Sequence, residues 1–250
     1  MKAESVFEKY AHEYDILTNA SARVTNHRLE VRALIDRFQP SSVLDAGCAS
    51  GLTTSLFAEE GIMAVGLDLS TRMISVARAK FSGTKLPVSF ETGSFEQLPQ
   101  TLNGKFDLVV CLANSISGVG TVSNLKRSLA GFRRILTPGG ALVLQLLNLS
   151  ALKEGEVMPV KATRSGDIGY LRFARRRAKR MEVTIVRLDF SIEPFGFEPF
   201  VHEMESFSPA SLTKEVRAAG FKRISRFGDL QMKHRFEKNT RDFILTAVKP

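Results

Sequence analysis

The sequence predicts an α/β fold: a doubly wound, mostly parallel sheet of seven strands, with an antiparallel β insertion after strand five. Between residues 42 and 147, apolar strand-like runs alternate with helix-like segments, which is typical of a parallel sheet with helices on both faces. The strands are almost continuously apolar, as at 108–112 and 141–144, which indicates that both faces are covered. After residue 150, β-branched and aromatic residues with partial alternation replace this rhythm.

The elements of the first part of the chain follow in order from this pattern. Two helices come first, at 3–14 and 22–38, and Pro40 ends the second. The alternation then runs through strand 42–46, helix 51–60, strand 62–67, helix 70–81, strand 87–91, strand 105–111, helix 121–136 and strand 140–147. The Thr-Pro-Gly-Gly segment at 137–140 predicts a turn between the last helix and its strand.

The second part of the chain predicts three strands and then a return to the core. The strands are expected at 168–175, 181–192 and 200–206, interrupted by Pro194, Gly196 and Pro199. A helix at 209–219 and strands at 221–227 and 241–248 then close the sheet. We divide the chain into an N-terminal helical segment 1–40, a core 41–150, an antiparallel insertion 151–207 and a closing segment 208–250.

Composition restricts the class of protein. No apolar run approaches the ~20 residues needed to span a bilayer, and the N-terminus lacks an apolar signal core. Cys48 and Cys111 are too few for a disulfide framework or a cysteine-rich metal site, so we expect a reducing, cytoplasmic setting. The net charge is +9, and six Lys and Arg residues crowd 171–180. Such a cluster attracts anions or is simply a solvated hairpin tip.

The most specific pattern is a strand, a small-residue turn and a second strand that ends in an acid. Residues 43–51 read Val-Leu-Asp-Ala-Gly-Cys-Ala-Ser-Gly, and Asp68 ends the apolar run that follows. Gly47 and Gly51 allow the backbone to approach a ligand where a Cβ would collide. A carboxylate at the end of the second strand suits the two hydroxyl donors of a ribose. The layout predicts a pocket for a nucleoside cofactor.

Several ordered segments resemble the class I S-adenosylmethionine-dependent methyltransferases. Besides 43–51, they are Phe-Asp-Leu-Val-Val at 106–110, Leu-Thr-Pro-Gly-Gly at 136–140 and Ala-Ala-Gly-Phe at 218–221. The acid two residues before the first glycine separates the chain from dinucleotide dehydrogenases. The resemblance implies a Rossmann-like fold that binds S-adenosyl-L-methionine and releases S-adenosyl-L-homocysteine.

Within that family the chain is loosely similar to the glycine and sarcosine type of small-molecule N-methyltransferases. The similarity rests on Cys-Leu-Ala-Asn-Ser at 111–115, on Leu-Leu-Asn at 146–148 and on the tyrosines near residues 10–15. It implies that the N-terminal helices form a lid. It also implies that Arg23, twenty residues before the first-motif strand, holds the methionine carboxylate.

The resemblance implies a set of cofactor-binding residues. They are Tyr14, Arg23, Asp45, Gly47, Cys48, Gly51, Asp68, Leu69, Met73, Ser94, Phe95 and Leu112. Asp45 is expected to bind loop amides or the cofactor ammonium, and Leu69 and Met73 to flank the adenine, although Met73 also suits the core. The family has a glycine at position 49 and an acid at position 94. Ala49 and Ser94 therefore depart from the pattern, and Phe95 is expected to stack on the ring.

Methyl transfer from a sulfonium is an in-line displacement, so no catalytic acid or base is required. Asn114 and His202 are the catalytic candidates; the first also suits a turn and the second a structural role. The substrate-binding candidates are Asn114, Ser115, Tyr170, Arg172 and His202. His12, His27 and His234 show no ligand spacing, and we expect no metal.

The leading interpretation is an S-adenosylmethionine-dependent methyltransferase that acts on N or O of a small molecule. One alternative is a tRNA or other nucleic-acid methyltransferase that uses the basic hairpin at 171–180 as a phosphate clamp. Another is a non-catalytic binding protein that has kept the fold. The insertion is expected to provide a substrate surface, a homodimer surface or both.

Overall fold

A computed structural model describes residues 5–149, 152–177 and 180–250. Its larger sheet has seven strands in the order β10-β11-β5-β4-β1-β2-β3. The first five in sequence are parallel, and β11 and β10 add antiparallel pairs at one edge. The bounds are β1 Ser42–Ala46, β2 Met63–Asp68, β3 Val88–Thr92, β4 Phe106–Cys111, β5 Leu136–Leu147, β10 Lys222–Phe227 and β11 Asp242–Val248. The predicted α/β fold is confirmed.

Helices cover both faces of this sheet. They are α3 Ala20–Phe38, α4 Leu52–Glu59, α5 Thr71–Phe81, α6 Val122–Ile135 and α7 Pro209–Ala218. Along β4, Leu108 and Val110 pack into one apolar layer, whereas Val109 and Cys111 pack into the other. This two-sided burial explains the continuous apolar runs in the sequence. Over the described ranges, no helix combines the length and apolarity needed to cross a membrane.

The N-terminal segment differs from the single helix predicted at 3–14. Three short pieces replace it: α1 Val6–Lys9, a 3₁₀ turn Ala11–Glu13 and α2 Tyr14–Thr18. Asn19, with φ +53°, then reverses the chain into α3. These pieces bend because their apolar side chains pack against a second sheet, a contact that local helix periodicity does not encode. Residues 3 and 4 of the predicted helix lie outside the described residues.

The insertion is a separate antiparallel sheet in the order β6-β7-β8-β9. Its strands are β6 Val157–Ser165, β7 Ile168–Arg177, β8 Arg180–Asp189 and β9 Gly196–Glu205. The prediction of three strands missed β6, and it placed Pro199 outside the strand that contains it. Both Pro159 and Pro199 lie in edge strands, where a missing N–H is tolerated. Lys179 of the basic cluster and the predicted boundary at 150–151 lie outside the described residues.

The Thr-Pro-Gly-Gly segment does not separate a helix from a strand as predicted. Strand β5 begins at Leu136, which pairs with Phe106, and it runs through the segment with a shift of register. Gly139 adopts φ +81°, and its N–H donates to the Lys249 carbonyl at 2.9 Å. The backbone bonds to neighbouring chain segments therefore extend the strand through a sequence that favours a turn.

Candidate functional site

Two adjoining cavities lie at the carboxyl ends of the parallel strands, the edge where open α/β sheets bind ligands. The first measures about 170 Å³ and lies between α3 and the loop after β1. The second measures about 500 Å³ and lies between that loop and the second sheet. Both cavities are lined by Tyr14, Gly47, Ala49 and Ala113. These shared residues make the two cavities parts of one site.

The loop after β1 has backbone geometry that few residues tolerate. Gly47 and Gly51 adopt φ +86° and +85°. A Cβ on Gly47 would lie 2.5 Å from Ser115, and one on Gly51 would lie 2.6 Å from Phe90. Both positions therefore require glycine for conformation and for space. Ala49 takes φ +47° despite its side chain, which is costly for a residue other than glycine.

Asp68 closes this loop at the end of β2. Its Oδ2 accepts from the Ala49 N–H, and its Oδ1 accepts from the Ser70 N–H, each at 2.9 Å. Burial raises the pKa of Asp68, and these backbone donors oppose the rise. Each carboxylate oxygen retains acceptor capacity after one hydrogen bond. Because Asp68 lines the second cavity, that capacity is available to two hydroxyl groups of a ligand.

The first cavity brings together a cation and an acid. Arg23 lines it from α3, and Asp45 lines it from β1. Asp45 is 2% exposed and accepts from the Thr54 hydroxyl at 2.7 Å. Burial raises the pKa of Asp45 to about 6, although the Thr54 bond opposes this. Such a pair can hold the carboxylate and the ammonium of an amino-acid group.

His27 also lines the first cavity, which the sequence analysis did not anticipate. Its Nδ1 lies 2.7 Å from Glu30, and its Nε2 lies 2.8 Å from the Thr53 hydroxyl. Gln145 joins this wall from β5 and accepts from the Ala113 N–H at 3.1 Å. The i,i+3 spacing of His27 and Glu30 on one helix was the available signal.

Most predicted cofactor residues line the two cavities. The first contains Tyr14, Arg23, Asp45, Gly47, Cys48 and Leu112. The second contains Tyr14, Gly47, Asp68, Leu69 and Met73. Gly51 lines neither cavity and instead caps α4. The structure thus brings together residues from α2, α3, the loop after β1, the end of β2 and the end of β4.

Ser94 and Phe95 are not among the residues that line either cavity, and their predicted adenine contacts stay a prediction. The Ser94 hydroxyl caps the 3₁₀ turn Phe95–Gln97 by accepting from the Glu96 N–H at 3.2 Å, and it also contacts the Glu96 carboxylate. Phe95 packs against Phe132 of α6 with ring centroids 5.7 Å apart. Phe95 is half-buried and packs against the core, and the tip of its ring lies 3.5 Å from the position of a Cβ on Gly47. No local pattern around residue 95 encodes its contact with helix α6.

The second sheet covers the second cavity with one face. Arg172 and Ala174 of β7, Met181, Val183 and Ile185 of β8, and His202 and Met204 of β9 line the cavity. These residues alternate along each strand and lie opposite one another in the register. The predicted substrate residues Arg172 and His202 are thus brought to the same cavity as Asp68.

Tyr170 does not reach the cavity, in contrast to the prediction. It is 1% exposed, and its hydroxyl donates to the Glu13 carboxylate. Arg187 also donates to Glu13, with bonds of 2.8 and 2.9 Å to the two carboxylate oxygens. Near these groups, Lys9 and Tyr10 donate to Glu198 at 2.6 and 2.8 Å. We call these contacts the lid latch, because they hold residues 6–18 onto the second sheet beside the site.

Asn114 and Ser115 follow β4 and line the second cavity. Asn114 adopts φ +69°, and its Oδ1 accepts from the Leu147 N–H. The side-chain oxygen of Asn114 is thus engaged with β5, which matches the alternative role of a turn residue. Ser115 begins a 3₁₀ turn whose first residues face the loop at Gly47.

The basic cluster of the hairpin is partly neutralised. Arg175 and Arg177 lie 3.7 and 3.5 Å from the carboxylate of Glu182, and Arg180 lies 2.5 Å from Glu203. These pairs reduce the net charge at the hairpin tip. They give no support to a phosphate clamp, so the nucleic-acid alternative stays a prediction.

The chain is similar to known methyltransferases in sequence and in fold. Residues 43–140 match the family described as "Methyltransferase domain". A malonyl-[acyl-carrier protein] O-methyltransferase of Hamiltonella defensa subsp. Acyrthosiphon pisum is 30% identical over 150 residues, which are 60% of this chain and 54% of that protein. The putative methyltransferase YqeM of Bacillus subtilis is 26% identical over 186 residues, 72% of each chain.

Solved structures show the same fold at low identity. The SAM-bound amino pentose methyltransferase CalS10 from Micromonospora echinaspora has a TM-score of 0.73 at 22% identity, over 94% of this chain and 97% of its own. DesVI of Streptomyces venezuelae has a TM-score of 0.76 at 22% identity, over 96% and 98%. The chain spans about half the length of the first curated relative.

Proposed function

We propose that the chain is a class I S-adenosylmethionine-dependent methyltransferase that transfers a methyl group to an oxygen or nitrogen atom of a small molecule. The cofactor of this family is S-adenosyl-L-methionine, and the product is S-adenosyl-L-homocysteine. The supporting observation is the pair of adjoining cavities. The first contains charged groups that can pair with an amino-acid group, and the second contains an acid suited to a ribose.

The side chains of the site match each part of this cofactor. Arg23 would hold the methionine carboxylate, and Asp45 would hold the ammonium, since both line the first cavity. Asp68 would accept from the two ribose hydroxyls in the second cavity, with Leu69 and Met73 beside the adenine. When bound, the sulfonium supplies an activated methyl group.

The chain's own contribution to the reaction is alignment and exclusion of water. The lid latch positions Tyr14 over the junction of the two cavities. The second sheet covers the side of the second cavity where the acceptor would enter. We therefore assign the insertion to substrate binding; a homodimer surface on it stays a prediction.

Calorimetric titration of S-adenosylhomocysteine tests this function. We expect the folded protein to bind it with micromolar affinity. Asp68→Ala should weaken binding by about 1.5–3 kcal/mol, because charged hydrogen bonds to the ribose are lost. Asp167→Ala, at an exposed acid in the β6–β7 turn, is the control and should bind like the wild type.

Two outcomes would contradict the proposal. No heat from folded wild-type protein at high micromolar ligand would favour a non-catalytic protein that has kept the fold. An unchanged affinity of Asp68→Ala would show that the ribose is held elsewhere. Urea unfolding of each variant separates a binding defect from loss of the loop that Asp68 supports.

A further inference from the structure

The cover that the second sheet forms over the second cavity is apolar, with two exceptions. Ala174, Met181, Val183, Ile185 and Met204 line it with side chains that carry no hydrogen-bonding group. Arg172 and His202 are the polar residues that the same face contributes to the cavity. This contrast indicates a ligand with an apolar body and few polar groups.

Arg172 places an uncompensated positive charge at the cavity. Its Nε is buried and has no hydrogen-bond partner. Within the described residues, no carboxylate lies within ion-pair distance of its guanidinium. Burial lowers the pKa of Arg172, and the positive charges of Arg23 and Arg241 lower it further. Since a half-buried charge without a partner has lost part of its hydration, the site favours an anionic group at this point.

His202 presents a buried, unpartnered nitrogen to the same cavity. Its Nε2 has no hydrogen-bond partner, and the Phe7 ring of α1 stacks on the imidazole at 5.6 Å. Burial lowers the pKa of His202, so the ring is neutral near pH 7 and its unpartnered nitrogen can accept a proton. The other titratable groups that line this cavity are Glu8 of α1, Tyr14 of α2, Asp68 of β2 and Arg172 of β7.

The sheet register sets the separation of these two groups. Arg172 of β7 lies opposite Ile185 of β8, and His202 of β9 lies opposite Val183 of β8. They are therefore two strands and two residues apart, which corresponds to about 12 Å between their Cα atoms. Val183 and Ile185 fill the strip between them. A ligand that reaches both groups must cross this apolar strip.

We propose that the substrate is an amphipathic organic acid whose carboxylate pairs with Arg172 and whose methyl-accepting hydroxyl lies beside His202. This inference rests on the proposed function. A sugar fits the cavity poorly, because the hydroxyls over the apolar strip would lack partners. The expected substrate class therefore differs from the amino pentose named for CalS10.

Methyl transfer forms one bond, breaks one bond and releases one proton. The acceptor oxygen forms a bond to the methyl carbon while the carbon–sulfur bond breaks, and that electron pair stays on sulfur as a neutral thioether. The hydroxyl proton passes to Nε2 of His202, which later releases it to solvent. Arg172 retains its charge throughout and orients the acid end.

Matched probes on protein loaded with S-adenosylhomocysteine test the substrate class. The probes are 3-(4-hydroxyphenyl)propanoate, its neutral amide and dTDP-glucose, measured by calorimetry. We expect the acid to bind at least tenfold more tightly than the amide or the sugar nucleotide. Arg172→Gln should abolish this preference and leave the affinity for S-adenosylhomocysteine unchanged. Arg164→Gln, at an exposed arginine of β6, should keep the preference.

A pH profile tests the role of His202. Methyl transfer to 3-(4-hydroxyphenyl)propanoate should rise with pH through the lowered pKa of His202 as the imidazole loses its proton, and should level off by about pH 7. His202→Gln should lower the rate by about 100-fold or more and remove this rise. His234→Gln, at an exposed histidine, should retain the wild-type profile.

The outcomes separate this inference from the proposed function. Failure of wild-type protein to bind S-adenosylhomocysteine overturns both. Normal binding together with equal affinity for acid and amide, or a preference for dTDP-glucose, overturns the substrate class alone. Loss of S-adenosylhomocysteine affinity in Arg172→Gln would assign Arg172 to the cofactor and would also overturn it. A wild-type pH profile in His202→Gln, or no transfer to the phenolic acid, overturns the role of His202.

Discussion

At the scale of single residues, the site contains backbone conformations and charges that lower the stability of the folded protein. Gly47 and Ala49 both lie in the left-handed region, within a loop of five residues. Asp45 is a buried acid, and Arg172 is a half-buried cation with a buried Nε and no carboxylate partner in the described structure. Binding of ligand groups beside these residues would offset the cost of each feature.

Gly47→Ala should lower the free energy of unfolding more than the same change at Gly83. Both glycines have positive φ, +86° and +75°, so each variant incurs about 1–2 kcal/mol of backbone strain. Only at Gly47 would the new Cβ also meet Ser115, at 2.5 Å, whereas nothing lies within 4 Å at Gly83. Urea unfolding and S-adenosylhomocysteine titration measure the difference. Equal losses in the two variants, with binding intact, would show that the loop relaxes around the side chain.

Asp45 should make the protein less stable as pH rises. Its pKa is raised in the folded state from 3.8 to about 6, so between these values the folded state holds more protons than the unfolded state. From about pH 4 to pH 7 this group should therefore remove roughly 2–3 kcal/mol of unfolding free energy. Asp45→Asn keeps the acceptor for Thr54 and should lack this loss. Asp36→Asn, at an exposed acid, is the control, and a wild-type pH slope in Asp45→Asn would contradict the prediction.

At the scale of elements, the lid latch connects the first helices to the second sheet. The Glu13 and Arg187 side chains are 10% and 13% exposed, whereas those of Lys9 and Glu198 are 41% and 37% exposed. Burial alone would raise the pKa of Glu13, but bonds from Arg187 and Tyr170 outweigh it and hold the pKa below its usual value. The latch is therefore stable above pH ~4.5 and weakens as pH falls through the lowered pKa.

Glu13→Gln should loosen the lid far more than Glu198→Gln. Removing the charge at Glu13 takes its two short bonds from the partly buried Arg187 and leaves that guanidinium with the longer pair to Asp189, at 3.3 Å, at a cost of about 3 kcal/mol. The exposed pair at Glu198 should contribute at most about 1 kcal/mol. Hydrogen exchange of α1 and α2 amides measures the effect, with an expected loss of protection of tenfold or more for Glu13→Gln. Similar exchange in the two variants would mean that apolar packing alone holds the lid.

At the scale of the whole molecule, the site is assembled from distant parts of the chain. The second cavity is lined by residues of α1 and α2, of the loop at 47–51 and of β7, β8 and β9. These residues come from three regions, 6–18, 47–51 and 168–205, which are far apart in sequence. Binding of one ligand should therefore order all three regions together.

S-adenosylhomocysteine at 100 times its dissociation constant should stabilise the protein by about 2.7 kcal/mol. Hydrogen exchange should slow in α2, in the loop at 47–51 and in β7 at the same ligand concentration. Asp68→Ala at that concentration should be stabilised by only about 0.3–1.3 kcal/mol, with protection reduced in all three regions. Protection confined to the loop would show that the lid and the second sheet do not close on the cofactor.

Much of the fold follows from local patterns in the sequence. The parallel strands are continuous apolar runs, which are visible without coordinates, and their residues pack alternately into two layers. The cofactor loop is equally local, since two glycines and two acids at fixed spacing lie at the ends of adjacent strands. Their convergence follows because parallel strands end at the same edge of a sheet.

The sequence by itself therefore determined the seven-stranded sheet and the loop at 47–51, because each depends on short spacing along one or two adjacent elements. Tertiary structure alone decided which of Tyr170 and Arg172 faces the ligand. Both side chains lie on one face of β7, and only the docked position of the lid assigns the first to Glu13 and the second to the cavity. Tertiary structure also packed Phe95 against α6, since contacts between remote elements leave no periodic trace in the chain.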